Sequence, residues 1–101
     1  MEWIIKIQGI VDDKPAILSN ERVVVRFDPK NEMVRFIGQY KPHNKDWVDF
    51  CEVIHSMDID LLGIQNQLLI VIKKLKEILI AYKNISDGFI LLKVVEYVEE
   101  Q

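Results

Sequence analysis

A single cysteine, Cys51, rules out any disulfide within the chain, and the paired cysteines of zinc ribbons and dithiol redox sites are missing with it. A reducing compartment, the cytoplasm, is the expected address. The four glycines stand scattered at positions 9, 38, 63 and 88, which excludes the glycine-rich turn of dinucleotide sites and the P-loop. Apolar runs are short as well. The most apolar, "LLIVI" at 68–72, gives way at once to Lys73 and Lys74, far short of the ~20 apolar residues that cross a bilayer. The opening "MEWIIKIQGI" carries an acid at position 2 and alternates, so neither a secretory leader nor membrane association is expected. Positive charge is also in deficit: 13 Lys and Arg against 16 Asp and Glu give a formal charge of -3, which opposes a general grip on phosphate backbones. Nucleic acid is not the expected partner.

What is present suits a small folded domain. Half of the 101 residues are apolar and 29% are charged, a balance that favours one core, and a single α+β domain over 1–101 is expected. Trp3, Ile5, Ile7, Gly9 and Val11 alternate with polar residues, the period of a strand with one buried face. The segment "DDKPAILSN" reads as a turn around a small apolar island, Ala16 to Leu18. "RVVVRF" and "MVRFIGQY" flank the turn-rich "DPKNE" and predict a hairpin. Parity decides its register. Only an even loop brings Val23, Val25 and Phe27 onto the face that holds Val34, Phe36 and Tyr40.

From Asn44 the apolar spacing turns helical, with Trp47, Phe50, Cys51, Val53, Ile54 and Met57 on one arc and Asn44 as the N-cap. A second helix is predicted from Asp58 or Asp60 to about Asn84, its main stripe running from Leu61 and Ile64 through Leu75 to Tyr82. A thinner stripe of Leu62, Leu69 and Ile80 lies about a quarter turn away. It exceeds what one sheet needs. Either the first helix or another molecule is expected to cover it. "FILLKVVEYV" predicts a last strand apolar on both faces apart from Lys93 and Glu96, as at a sheet centre or at an edge covered by a partner. The order βββααβ predicts a mainly antiparallel sheet with two helices packed on one face.

Three clusters carry candidate chemistry. Cys51, Glu52, His55 and Asp58 are metal-ligand types at helical spacing, and they support a small metal-dependent enzyme or metal-binding protein as one alternative. A core thiol and a capping acid are the plainer explanation. Arg22, Arg26 and Arg35, with Lys6, Lys93 and the rings of Phe89 or Tyr97, outline an RNA-binding sheet surface as another alternative. The acids Asp46, Asp49, Glu52, Asp58 and Asp60 share one segment that has no lysine between Lys45 and Lys73, so a local negative field able to steer a basic partner is expected. The leading expectation is a non-catalytic protein-protein interaction module without cofactor or metal. It would be homodimeric through Leu62, Leu69 and Ile80, or similar in composition to small acidic immunity proteins that neutralise a basic partner.

Overall fold

In a computed structural model of the chain, residues 2–11, 14–83 and 93–100 are described. The elements are β1 (Glu2–Val11), β2 (Lys14–Ile17), β3 (Glu21–Asp28), β4 (Met33–Tyr40), β5 (Val48–Ser56), α1 (Leu61–Lys83) and β6 (Lys93–Glu100). All strand pairings are antiparallel, and the sheet runs β2-β1-β3-β4-β5 with β6 also on β1. Ile5 pairs with both Val23 and Tyr97, and Gln8 with both Ile17 and Lys93. A strand has two edges only. Strands β2 and β3 therefore follow one another along one edge of β1, and β6 takes the other.

The β3–β4 hairpin closes over residues 29–32, an even connection, and sets Val25 opposite Phe36 and Phe27 opposite Val34. Asp28 shapes the turn by accepting from the Asn31 backbone N–H at 3.3 Å and from Asn31 Nδ2 at 2.7 Å, while Pro29 opens a short 3-10 turn. The Asn31 amide beside it lowers the Asp28 pKa from its ordinary value. One face of the sheet, carrying Ile5, Ile7, Val23, Val25, Val34 and Phe36, is buried together with Leu68, Val71, Ile72, Leu75 and Leu79 of α1. The helix lies across β3, β4 and β5. Leu18 joins this core from the end of β2, whereas Ile17 beside it is exposed.

The helix expected from Asn44 to Met57 is instead strand β5, and the turn expected around Ala16 holds the short strand β2, so that among the described residues one helix packs on the sheet where two were expected and the order is βββββαβ. For β5 the cause is a bulge. Opposite β5 the register slips between Gly38 and Gln39, so that Gly38 faces Cys51, Gln39 faces Asp49, and Phe50 is the extra residue. Phe50 and Cys51 both turn toward the core, which breaks the two-residue alternation and mimics a helical period. Gly38 makes room for them: a Cβ there would lie 2.6 Å from the Phe50 ring and 2.8 Å from Cys51 Sγ. Asn44 is no helix cap but a left-handed turn residue with φ 58. The cap of α1 is Asp60, whose Oδ1 accepts from the Gly63 N–H at 2.7 Å. Of the expected final strand, Lys93–Glu100 is strand β6, and residues 89–92 lie outside the described ones.

Two substitutions test this arrangement. Gly38→Ala overpacks the bulge and is expected to destabilise by about 1–3 kcal/mol, and Asp60→Ala removes the cap at about 1 kcal/mol. Urea unfolding reads both. A neutral Gly38→Ala would argue against the bulge.

Candidate interaction surface

The five acids expected to act together are distributed by β5 to three places. Asp46 precedes the strand and accepts from the Trp47 backbone N–H at 2.8 Å. Asp49 and Glu52 lie on the sheet face that turns away from the helix, each beside a neighbouring polar group. Asp58 and Asp60 stand in the turn that enters α1, beyond the far end of a strand spanning roughly 26 Å from Val48 to Ser56. No single negative patch results. Only Asp58 and Asp60 border the helix.

The metal-ligand quartet is likewise taken apart. On a strand, Cys51 and His55 share the helix side while Glu52 points to the other, and Asp58 lies past the end. Among the described residues no three His, Cys, Asp or Glu come together to hold an ion. His55 Nδ1 sits 3.1 Å from the Ser56 carbonyl oxygen, and His43 is exposed. Burial raises the Cys51 thiol pKa, outweighing the Gly38 backbone and the Lys74 ammonium, which pull it down.

The outward sheet face does collect the arginines, but it supplies them with partners. Three cross-strand rows order it. Arg26 lies opposite Glu2 and binds it, Nε to Oε1, at 2.7 Å. Arg35, directly opposite Arg26, turns to Glu52 at 3.5 Å. Arg22 Nε donates to Gln39 Oε1 at 2.8 Å, and Gln39 Nε2 donates to Asp49 Oδ1 at 2.7 Å, a chain across β3, β4 and β5. Between the rows Ile4, Val24 and Ile37 form a small second apolar cluster. The side chains of Lys93 and Tyr97 lie outside the described ones, as does Phe89.

Trp47 lies under the Arg22 guanidinium, 4.1 Å from ring centroid to Cζ, with Lys41 Nζ at 5.9 Å. Periodicity missed Trp47 as a surface residue because it was assigned to a helix core. A depression of ≈ 430 Å³ opens beside it, lined by Ile4, Lys6, Ile17, Glu21 and Arg22 among others. Lys6, Glu21 and Arg22 are all engaged. Among the described residues the face is thus a nearly balanced set of ion pairs and hydrogen bonds beside an apolar strip.

The remaining surface is the helix. Its buried arc, Leu68 to Leu79, leaves Leu61, Leu62, Leu69 and Ile70 exposed, with Leu62 at 64% and Leu69 at 63%. Ile80, expected in the same stripe, packs partly against the core instead. The first helix expected to cover the stripe is strand β5 instead. From Leu61 to Ile72 the helix carries no charge at all, and its exposed polar residues there are Gln65 and Asn66. Uncharged, exposed and leucine-bearing helix surface is uncommon on a chain that is otherwise well supplied with charge.

Comparison with known proteins gives no further guide: no family model matches, and none of the curated proteins or solved structures is significantly similar to this chain. No described helix is long and apolar enough to cross a membrane.

Cys51 supplies the test of this picture. A thiol held protonated by burial is expected to react with iodoacetamide on the order of tenfold more slowly than a free cysteine at neutral pH. Because its pKa is raised on folding, its stabilising contribution is complete below the ordinary thiol value and fades as pH rises through the folded one. The urea midpoint is therefore expected to fall on the alkaline side. Fast alkylation at neutral pH would instead mark a reactive thiol.

Proposed function

We propose that the protein is a non-catalytic protein-protein interaction module whose docking surface is the exposed flank of the first half of α1. The supporting observation is the exposure of Leu62 and Leu69 on one side of helix turns that carry no charge, with Ile70 exposed beside them. Burying one such leucine against a partner is worth about 1.5–3 kcal/mol, so a few of them suffice for an encounter of useful strength. Asp58 and Asp60 at the helix entrance give the surface a negative rim, which favours a partner presenting lysine or arginine beside its own apolar residues. The module reading with a basic partner, drawn from the acids of the sequence, thereby contracts from five acids to these two. Asp49 and Glu52 are occupied on the opposite side of the sheet.

Site-specific photo-crosslinking tests the proposal. A benzophenone amino acid at position 69, in the cells that naturally make the protein, is expected to yield one discrete adduct, lost when Leu62→Arg is added. The same probe at Asn31, in the hairpin turn, is expected to give none. Absence of any adduct at position 69, or the same adducts from both positions, overturns it.

A further inference from the structure

Strand β1 is irregular on both edges at the same place. On one edge it pairs with β3 as far as Ile5 and Val23 and with β2 from Gln8 and Ile17, so that Lys6 and Ile7 fall in the gap between the two ladders. The Leu18 N–H still donates to the Ile7 carbonyl at 2.8 Å, and the chain then bends through Ser19 and Asn20 before entering β3. On the other edge the register with β6 slips between Lys6 and Ile7 as well, leaving Val95 as the extra residue. Irregularities of this kind re-aim side chains and are common beside functional sites.

The depression of ≈ 430 Å³ opens at this fork, with Lys6, Ser19 and Arg22 in its lining. At about 30 Å³ per water it has room for about fourteen waters, or for a ligand of about a dozen non-hydrogen atoms. Ile4, Ile17, Leu18 and Trp47 supply the apolar part of the lining. Its charged residues are two cations, Lys6 and Arg22, against one acid, Glu21, a surplus of one positive charge. Small-molecule sites combine these same elements, a mainly apolar hollow and a few placed polar groups.

Arg22 is held in position before any ligand arrives. Its Nε donates to Oε1 of the buried Gln39 at 2.8 Å, and its guanidinium stands 4.1 Å from the Trp47 ring centre. Fixing a binding group in advance lowers the ordering cost of binding. Lys6, Glu21 and Arg22 each have a partner in the chain, so an incoming anion joins an existing network and does not meet bare charge.

We infer that this fork is a binding site for a small apolar monocarboxylate. The apolar body rests on Ile4, Ile17 and Leu18 beside Trp47, and the carboxylate lies between Lys6 and Arg22. One negative charge matches the surplus, whereas a cationic ligand would add to it. The site lies on the sheet face turned away from α1, so it stands or falls apart from the docking surface of the helix.

Amide-resolved NMR of the whole chain tests the inference with three probes that share one body: 4-phenylbutyrate, 4-phenylbutanol and 4-phenylbutylamine. The carboxylate is expected to shift the amides of Leu18, Ser19 and Arg22 and the indole N–H of Trp47 saturably. The alcohol is expected to bind about tenfold more weakly, and the amine more weakly still. Lys6→Gln and Arg22→Gln are each expected to weaken the carboxylate about tenfold while leaving the alcohol unchanged. Because Arg22→Gln also removes the contact with Trp47, Lys6→Gln is the cleaner variant, and retained dispersion of the amide signals shows that each is folded.

Absence of saturable shifts with 4-phenylbutyrate overturns the inference. So does equal binding of the alcohol or the amine, or an affinity for the carboxylate that Lys6→Gln leaves intact. Shifts centred on Leu62 and Leu69 instead would place the probe on the helix flank and overturn it too.

Discussion

Contact between the apolar arc of α1 and the inward face of β3, β4 and β5 governs where every other part of the molecule is placed. A helix is about 10 Å across and neighbouring strands are about 4.8 Å apart, so one helix shelters two to three strands. The strands beneath α1 match that width. Val23, Val25, Val34 and Phe36 lie fully buried under Leu68, Val71 and Leu75. The geometry also limits what the helix can hide of itself. An arc of little more than a quarter of its circumference is used up by the sheet, and Leu62 and Leu69 on the flank beside it are exposed.

The opposite face of the sheet solves a different problem. Ile4, Val24 and Ile37 are buried at 6%, 1% and 1% exposure, although among the described elements no helix packs on this side. Paired arginines stand on the same face, and stems of that kind can lie along apolar surface while their heads remain hydrated. The pairs themselves, half exposed, contribute on the order of 0–1 kcal/mol each. They also fix the arginine side chains in orientation, and Trp47 lies beneath Arg22. A face that reads in sequence as a row of cations is a set of paired ones.

Much of this was readable from residue patterns alone. The alternation of Trp3 to Val11, the parity of the hairpin around Pro29 and the long stripe of α1 each follow from one local period, and each element stands where that period puts it. The segment from Trp47 to Met57 was misread because a bulge adds one residue, and a single added residue turns a period of two into an apparent arc. That error carried the chemistry with it. Cys51 and His55 seemed to flank Glu52 only while the segment was a helix. The pairing of Arg35 with Glu52 and of Gln39 with Asp49 depends on register between β4 and β5, which no one-dimensional period encodes.

The irregularity opposite Gly38 has a consequence for the behaviour of the protein in a crowded solution. A flat, uninterrupted rim of nine residues is a ready template for growth of fibrils, since each strand added exposes an identical new rim. The inserted Phe50 bends and twists this rim out of plane, so an incoming strand would meet matched hydrogen-bonding groups over only part of its length. Stacking cannot propagate from such a boundary, and the outermost strand remains a terminus.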